Sequence, residues 1–326
     1  MERARTFRAL QTIYRIVGHP LIFAVSDGDG PREEIHRDAA REEHKLAEKI
    51  AVLGAGTMGH GIAQIAAQAG YQTVLCDVDA SALSKGFAKL RENLDSGVAK
   101  GKVTAEERDA ALGRLQASTD LVAAADGVAL VVEAIPERMD LKESVFHMLG
   151  EIAPEDAILA TNTSSLPVSK IAASAKRPER VIGMHFFNPP HIVKLCEIVR
   201  AKQTSEQTVG RAKELALKMG REIIVVVDSP GFATSRLGLV IGLEAMRMLE
   251  AGVASVEDID RAMELGYRHP MGPLRLTDLV GLDVRLAIAE HLYKEVGEQF
   301  RPPEILRKMV AEGKLGKKSG QGFYKW

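Results

Sequence analysis

The segment Gly54-Ala55-Gly56-Thr57-Met58-Gly59 constrains this chain more than any other. Three glycines at this spacing turn a chain from strand to helix at close quarters. The first permits the tight turn, the second lets backbone approach a ligand, and the third lets helix pack on strand. The surroundings fit that reading. Ile50-Ala51-Val52-Leu53 runs into the loop, apolar throughout, as a strand buried on both faces is. A helical pattern over 58–69 runs out of it. About 20 residues beyond the first glycine, Asp77 closes the next apolar run, Thr73-Val74-Leu75-Cys76.

The alternation continues. Apolar runs at 128–132, 158–160, 181–184 and 223–227 are separated by segments with helical spacing, among them 141–152. Such a series predicts a doubly wound α/β sheet over residues 47–228. After Asp228-Ser229-Pro230-Gly231 the strand signals stop. The stretch 237–249 is apolar on most sides and reads as a buried helix or a dimer interface. Ser255 with Asp258 suggests a capping box, with Gly266 closing that helix. Residues 282–296 form a further helical stretch, so 229–326 is expected to be a smaller all-α domain. Residues 1–46 read as a non-catalytic extension. Phe7, Leu10, Ile13, Tyr14 and Val17 have amphipathic helical spacing among four arginines.

Composition closes off several classes. At 326 residues and 46% hydrophobic, the chain can bury a large core, which excludes disordered and low-complexity classes. Lys+Arg 43 against Asp+Glu 44 leaves a net charge of −1 and no overall basic field for a nucleic acid. Cys76 and Cys196 are far apart and form no CxxC, so neither a disulfide framework nor a metal site is expected. No apolar run is long enough to span a membrane. A reducing compartment, the cytoplasm, is the expected home. A mitochondrial presequence is the alternative for the Arg-rich start, although that start is poor in serine and carries Glu2.

The loop and Asp77 point to a dinucleotide. The helix N-terminus after the glycines offers free N–H groups and a positive dipole end to phosphates. The Asp77 carboxylate accepts from ribose hydroxyls and repels a 2′-phosphate, and Val78-Asp79 brings no arginine to neutralise one. NAD is therefore favoured over NADP. Two further segments sit just past strand ends, where open α/β sheets gather their ligands. One is Asn162-Thr163-Ser164-Ser165; the other is Met184-His185-Phe186-Phe187-Asn188-Pro189-Pro190. Glu197 stands in the otherwise apolar run Leu195-Cys196-Glu197-Ile198-Val199. A charge there costs several kcal/mol unless paired, and His185 is the partner expected.

In combination these motifs resemble the L-3-hydroxyacyl-CoA dehydrogenases, including the 3-hydroxybutyryl-CoA dehydrogenases. The resemblance covers about residues 48–326. It rests on GAGTMG from Gly54, VVEAIPE from Val131, NTSSL from Asn162, HFFNP from His185, PGF from Pro230 and GKKSGQGFYKW from Gly316. It implies reversible NAD-dependent oxidation of an (S)-3-hydroxyacyl-CoA, with His185 and Glu197 as the catalytic pair. Ser164 would touch both substrate and nicotinamide. Gly54, Gly56, Thr57, Met58, Gly59 and Asp77 would hold the cofactor, with Glu137, Lys142 and Lys318 on the same side. Lys142 would also lie near the thioester. Lys100 matches a CoA contact, with Asn93 where the family carries serine, and beside Lys102 and Arg91 it also reads as a solvated basic face. Past PGF the family commonly has asparagine before arginine, where this chain has Ser235. The shorter side chain is expected to reach substrate only through water or after a shift of its helix. An acyl-CoA substrate, neither nucleic acid nor membrane, and a homodimer through the C-terminal domain complete the expectation. The rival readings are a dehydrogenase of a free sugar acid or small hydroxy acid, and a non-enzymatic nucleotide-binding protein.

Overall fold

The computed structural model describes residues 48–326, so the expectations for residues 1–46 lie outside the described residues. An eight-stranded sheet organises the first part of the chain. Its strands are β1 (Lys49–Leu53), β2 (Gln72–Cys76), β3 (Leu115–Ser118), β4 (Val128–Glu133), β5 (Ile158–Thr161), β6 (Val181–Phe186), β7 (Leu195–Arg200) and β8 (Glu222–Val227). Their order across the sheet is β3-β2-β1-β4-β5-β6-β7-β8. The chain starts in the middle and winds outward in both directions, so the strand order reverses beside β1. The helices between them are α1 (Gly59–Gln68), α2 (Ala80–Ala99), α3 (Ala105–Gly113), α4 (Leu121–Ala125), α5 (Met139–Ile152), α6 (Val168–Ala172) and α7 (Glu206–Lys218).

The apolar strands are uniform because both sides of the sheet are covered. Successive residues of β1 enter opposite layers: Ile50 and Val52 pack with α1 residues such as Ile62, Ala51 and Leu53 with Phe146 and Leu149 of α5. A strand inside such a sandwich has no polar face to show. The edges differ. β3 is half-polar and largely exposed, and for that reason carries no strand signal in the sequence. β8 is the opposite edge, with Val225 and Val227 exposed.

One pairing departs from the parallel pattern, and it matters most for function. β7 returns antiparallel to β6, which sets Glu197 directly across from His185. Cross-strand partners in this arrangement point to the same face at contact distance. The turn between the two strands is held by Arg221, whose guanidinium donates to the carbonyls of Pro190 and Val193.

Beyond β8 the chain is helical, with a separate apolar core around Leu239, Leu243, Leu274 and Leu292. The helices are α8 (Thr234–Glu250), α9 (Val256–Arg261), α10 (Pro273–Val280), α11 (Leu282–Glu295) and α12 (Glu304–Ala311). The capping box expected at Ser255 is only half formed. Its hydroxyl accepts from the Asp258 amide, but the Asp258 carboxylate takes the proton of that same hydroxyl instead of the Ser255 backbone N–H. Nor does α9 run on regularly to Gly266; it passes into a π-helical turn over Ala262–Gly266.

Candidate active site

The carboxyl ends of β1, β4, β5 and β6 open into a cleft of about 330 Å³. It is lined by Met58, Glu137, Lys142, Asn162, Ser164 and His185, among others. These six residues come from the ends of four strands and the loops and helix that follow them, and they meet because all four strands end at the same edge of the sheet.

His185 lines the cleft, and Glu197 is buried against that imidazole. His185 Nδ1 lies 2.7 Å from Glu197 Oε2. A carboxylate can only accept, so Nδ1 is the donor in this contact, and Nε2 is the ring nitrogen left to exchange a proton with a substrate. The rings of Phe187 and Phe232 flank the imidazole at 4.4 and 5.8 Å. Glu197 is fully buried, and burial alone would push its carboxyl upward. Hydrogen bonds from His185 and from the Thr234 hydroxyl and amide outweigh it, and the group lies below the ordinary carboxylate range. The turn that leads into the Thr234 donors is Pro230-Gly231-Phe232. Phe232 sits at φ +46°, a left-handed conformation that a bulky residue adopts only when its surroundings impose it.

A second network positions Ser164. Glu137 accepts from the Thr163 hydroxyl at 2.6 Å, the Ser164 amide at 3.1 Å and the Ser165 hydroxyl at 3.3 Å. Lys142, buried in α5, joins Glu137 to Glu133 at 3.3 and 2.6 Å. Glu133 also accepts from the Thr161 hydroxyl and the Ile135 amide. Burial holds Glu133 above the usual carboxylate range despite Lys142. Glu137 lies below it, because these donors outweigh its partial burial. Asn162 links the two networks: its side-chain oxygen accepts from the amide of Phe186, the residue after His185. Ser164 itself is left exposed at the cleft, its hydroxyl without a partner among the described residues.

Residues 49–229 match the family model described as 3-hydroxyacyl-CoA dehydrogenase, NAD binding domain, and residues 231–326 match its C-terminal domain. The chain belongs to the 3-hydroxyacyl-CoA dehydrogenase family. It is 43% identical over 280 residues to the 3-hydroxybutyryl-CoA dehydrogenase of Mycobacterium tuberculosis, covering 85% of this chain and 98% of the relative. A probable 3-hydroxybutyryl-CoA dehydrogenase of Bacillus subtilis is 46% identical, with 85% and 96% covered. The crystal structure of (S)-3-hydroxybutyryl-CoA dehydrogenase from Ralstonia eutropha superimposes with a TM-score of 0.82 at 40% identity, over 86% of this chain and 99% of that one.

The family's cofactor is NAD, and the residues at the glycine loop fit it. Gly54 takes φ +94°, and a β-carbon on Gly59 would sit 1.7 Å from the Gly54 carbonyl. By contrast, nothing lies within 4 Å of a β-carbon placed on Gly56. The backbone there faces open space, and the N–H groups of Gly56, Thr57 and Met58 make no hydrogen bond to the described residues. Asp77 does more than the sequence suggests. Its carboxylate accepts from the Ala55 amide at 2.7 Å and the Asp79 amide at 3.0 Å, bracing the loop itself. A carboxylate has about four acceptor positions, so capacity for a ribose diol remains.

Other expected residues lie away from the cleft lining. Lys100 is exposed at the C-terminal cap of α2, and Asn93 stands two turns earlier on the same helix, its buried amide nitrogen without a partner among the described residues. Lys318 pairs with Asp283 at 2.6 Å in the C-terminal turn. Ser235 is half-buried in the first turn of α8 with no side-chain hydrogen bond among the described residues. The sequence motifs contain Glu133 and Asn162, and Thr234 stands beside Ser235, but the sequence assigned none of the three a role. Glu133 carried a usable signal, an acid closing an otherwise apolar strand, as Glu197 stands within one.

Proposed function

We propose that this chain catalyses the reversible, NAD-dependent oxidation of short-chain (S)-3-hydroxyacyl-CoA, such as the 3-hydroxybutyryl thioester, to 3-ketoacyl-CoA. The observation that carries the proposal is the buried His185–Glu197 hydrogen bond beside the cleft shared by Ser164 and the glycine loop. NAD, when bound, accepts the hydride released from C3. His185 takes the hydroxyl proton on Nε2, and Glu197 orients the ring and stabilises the imidazolium that forms. The Ser164 hydroxyl donates to the reacting oxygen as it becomes a carbonyl, from a loop that Glu137 and Lys142 fix. Asp77 receives the ribose hydroxyls, and the free amides of Gly56, Thr57 and Met58 the pyrophosphate. Lys318 is assigned to the cofactor side, and Lys100 and Asn93 to the CoA. Ser235 reaches substrate only through water or after a shift of α8. Two buried free cysteines suit a reducing compartment, and we place the enzyme in the cytoplasm as a homodimer.

A positioned general base contributes about 10²–10⁴ in rate. Replacing it, as in His185→Ala, is expected to lower kcat by that factor in an NADH-coupled assay with acetoacetyl-CoA, with NADH affinity nearly intact. An unimpaired variant removes His185 from the mechanism. Wild-type turnover of free acetoacetate in preference to acetoacetyl-CoA overturns the substrate assignment.

A further inference from the structure

Glu197 has a second set of partners besides His185. Oε1 accepts from the amides of Ala233 and Thr234, at 3.2 and 3.0 Å. Oε2 is shared: it accepts from His185 Nδ1 at 2.7 Å and from the Thr234 hydroxyl, also at 2.7 Å. Thr234 thus supplies two of the four donors, one to each oxygen. Donors on both oxygens fix the rotation of the carboxylate plane, which one contact to His185 cannot do.

We infer that Thr234 is a positioning residue for the reaction: its hydroxyl, with the amides that open α8, locks the Glu197 carboxylate so that Oε2 faces His185. The inference rests on the functional reading above. It assigns a task to the residue beside Ser235 that no substrate contact would reveal. The geometry has a cause in the chain. The left-handed turn at Gly231 and Phe232 brings the start of α8 over β7, where its positive end meets a buried anion. Valine has the shape of threonine without the hydroxyl, so it isolates the hydrogen bond.

The charged groups around Glu197 are few. His185 meets it from β6. The Arg236 guanidinium on α8 turns to the Ser229 hydroxyl, and Arg221 is bound to carbonyls. The neighbouring Cys196 thiol is pushed up to about 12 by burial and is neutral. From β8 the residue in register is Ile224. Loss of the Thr234 hydroxyl therefore acts on the pair alone. With one donor fewer, Glu197 holds a proton to higher pH, and the imidazole loses its anionic partner there.

The test measures kcat, KM and their pH profiles for Thr234→Val and Thr234→Ser with acetoacetyl-CoA and NADH. The valine variant is expected to lose about 10- to 100-fold in kcat, the range spanned by a charge-assisted hydrogen bond. KM should stay within about two-fold, and the acid limb of the profile should move to higher pH. Serine, which keeps the donor, should restore both. Should valine fail to fold, Thr234→Ala is measured for the same split. A valine or alanine variant with wild-type kcat and profile overturns the inference, as does a serine variant impaired as deeply as valine. An inactive wild type would instead sink the functional reading, so the two failures are distinguishable.

Discussion

Lys142 is a basic residue buried in α5, and two carboxylates face its side-chain nitrogen. Removing it leaves Glu133 buried with an uncompensated charge, which typically costs 3–5 kcal/mol. Lys142→Met is therefore expected to lower unfolding free energy by about that amount in urea titration, and adding Glu133→Gln should recover most of it. A lysine that served only the ligand would leave stability unchanged. The same rule shows which residues could be read in the sequence. Glu197 stands out because an acid in the middle of an apolar strand must be paired, and His185 was the group available. Glu133 obeys the same rule but closes its strand, where an acid also reads as the start of a solvated loop. Thr234 carries no such mark. Threonine at a helix start is ordinary, and only the fold reveals that a buried carboxylate lies above it.

Elements divide in the same way. The buried parallel strands and the glycine loop were legible because their apolar runs and spacing are local properties. The edge strand β3 was not, since a strand covered on one side only can be polar. Nor could the antiparallel return of β7 be read, although it creates the His185–Glu197 register, because strand direction is decided by how the connecting turn closes. Helix α8 combines both cases. Its inner face, with Leu239, Leu243 and Met246, is core. Its outer face leaves Leu237 exposed, as α10 leaves Leu276, Leu279 and Val280 and α11 leaves Val284. These helices pack on one another, and exposed apolar side chains on packed helices suit an interaction site; we propose a second copy of this chain as the partner, since an isologous contact buries such side chains against themselves. Sedimentation at micromolar concentration should give a dimer, and Leu237→Asp should shift it toward monomer. A monomeric wild type would exclude this face as the interface.

At the scale of the whole molecule, the C-terminal segment shows what the helical domain needs in order to close. Its motif from Gly316 was legible as a family mark, but its physical purpose lies in contacts with a distant helix. Asp278 of α10 is fully buried, and its carboxylate accepts from the amides of Phe323 and Tyr324 and from the indole of Trp326, at 2.9, 2.8 and 3.0 Å. The segment can reach so close only because Gly316 and Gly322 have no side chains. A β-carbon on either would lie 2.2 or 2.1 Å from Asp278 atoms. One carboxylate therefore anchors the last residues of the chain, and its loss strands several donors together. Each stranded donor costs about 1–3 kcal/mol, so Asp278→Ala should destabilise the protein by about 3 kcal/mol or more. Trp326 is the chain's one tryptophan, and its emission reports directly on this contact. In Asp278→Ala that emission should shift to the red at denaturant concentrations where the wild type is still native, ahead of the loss of helical signal. Coincident transitions in the two proteins would show that the segment is held by its aromatic packing instead, with Arg275 stacked at 5.1 Å over the indole.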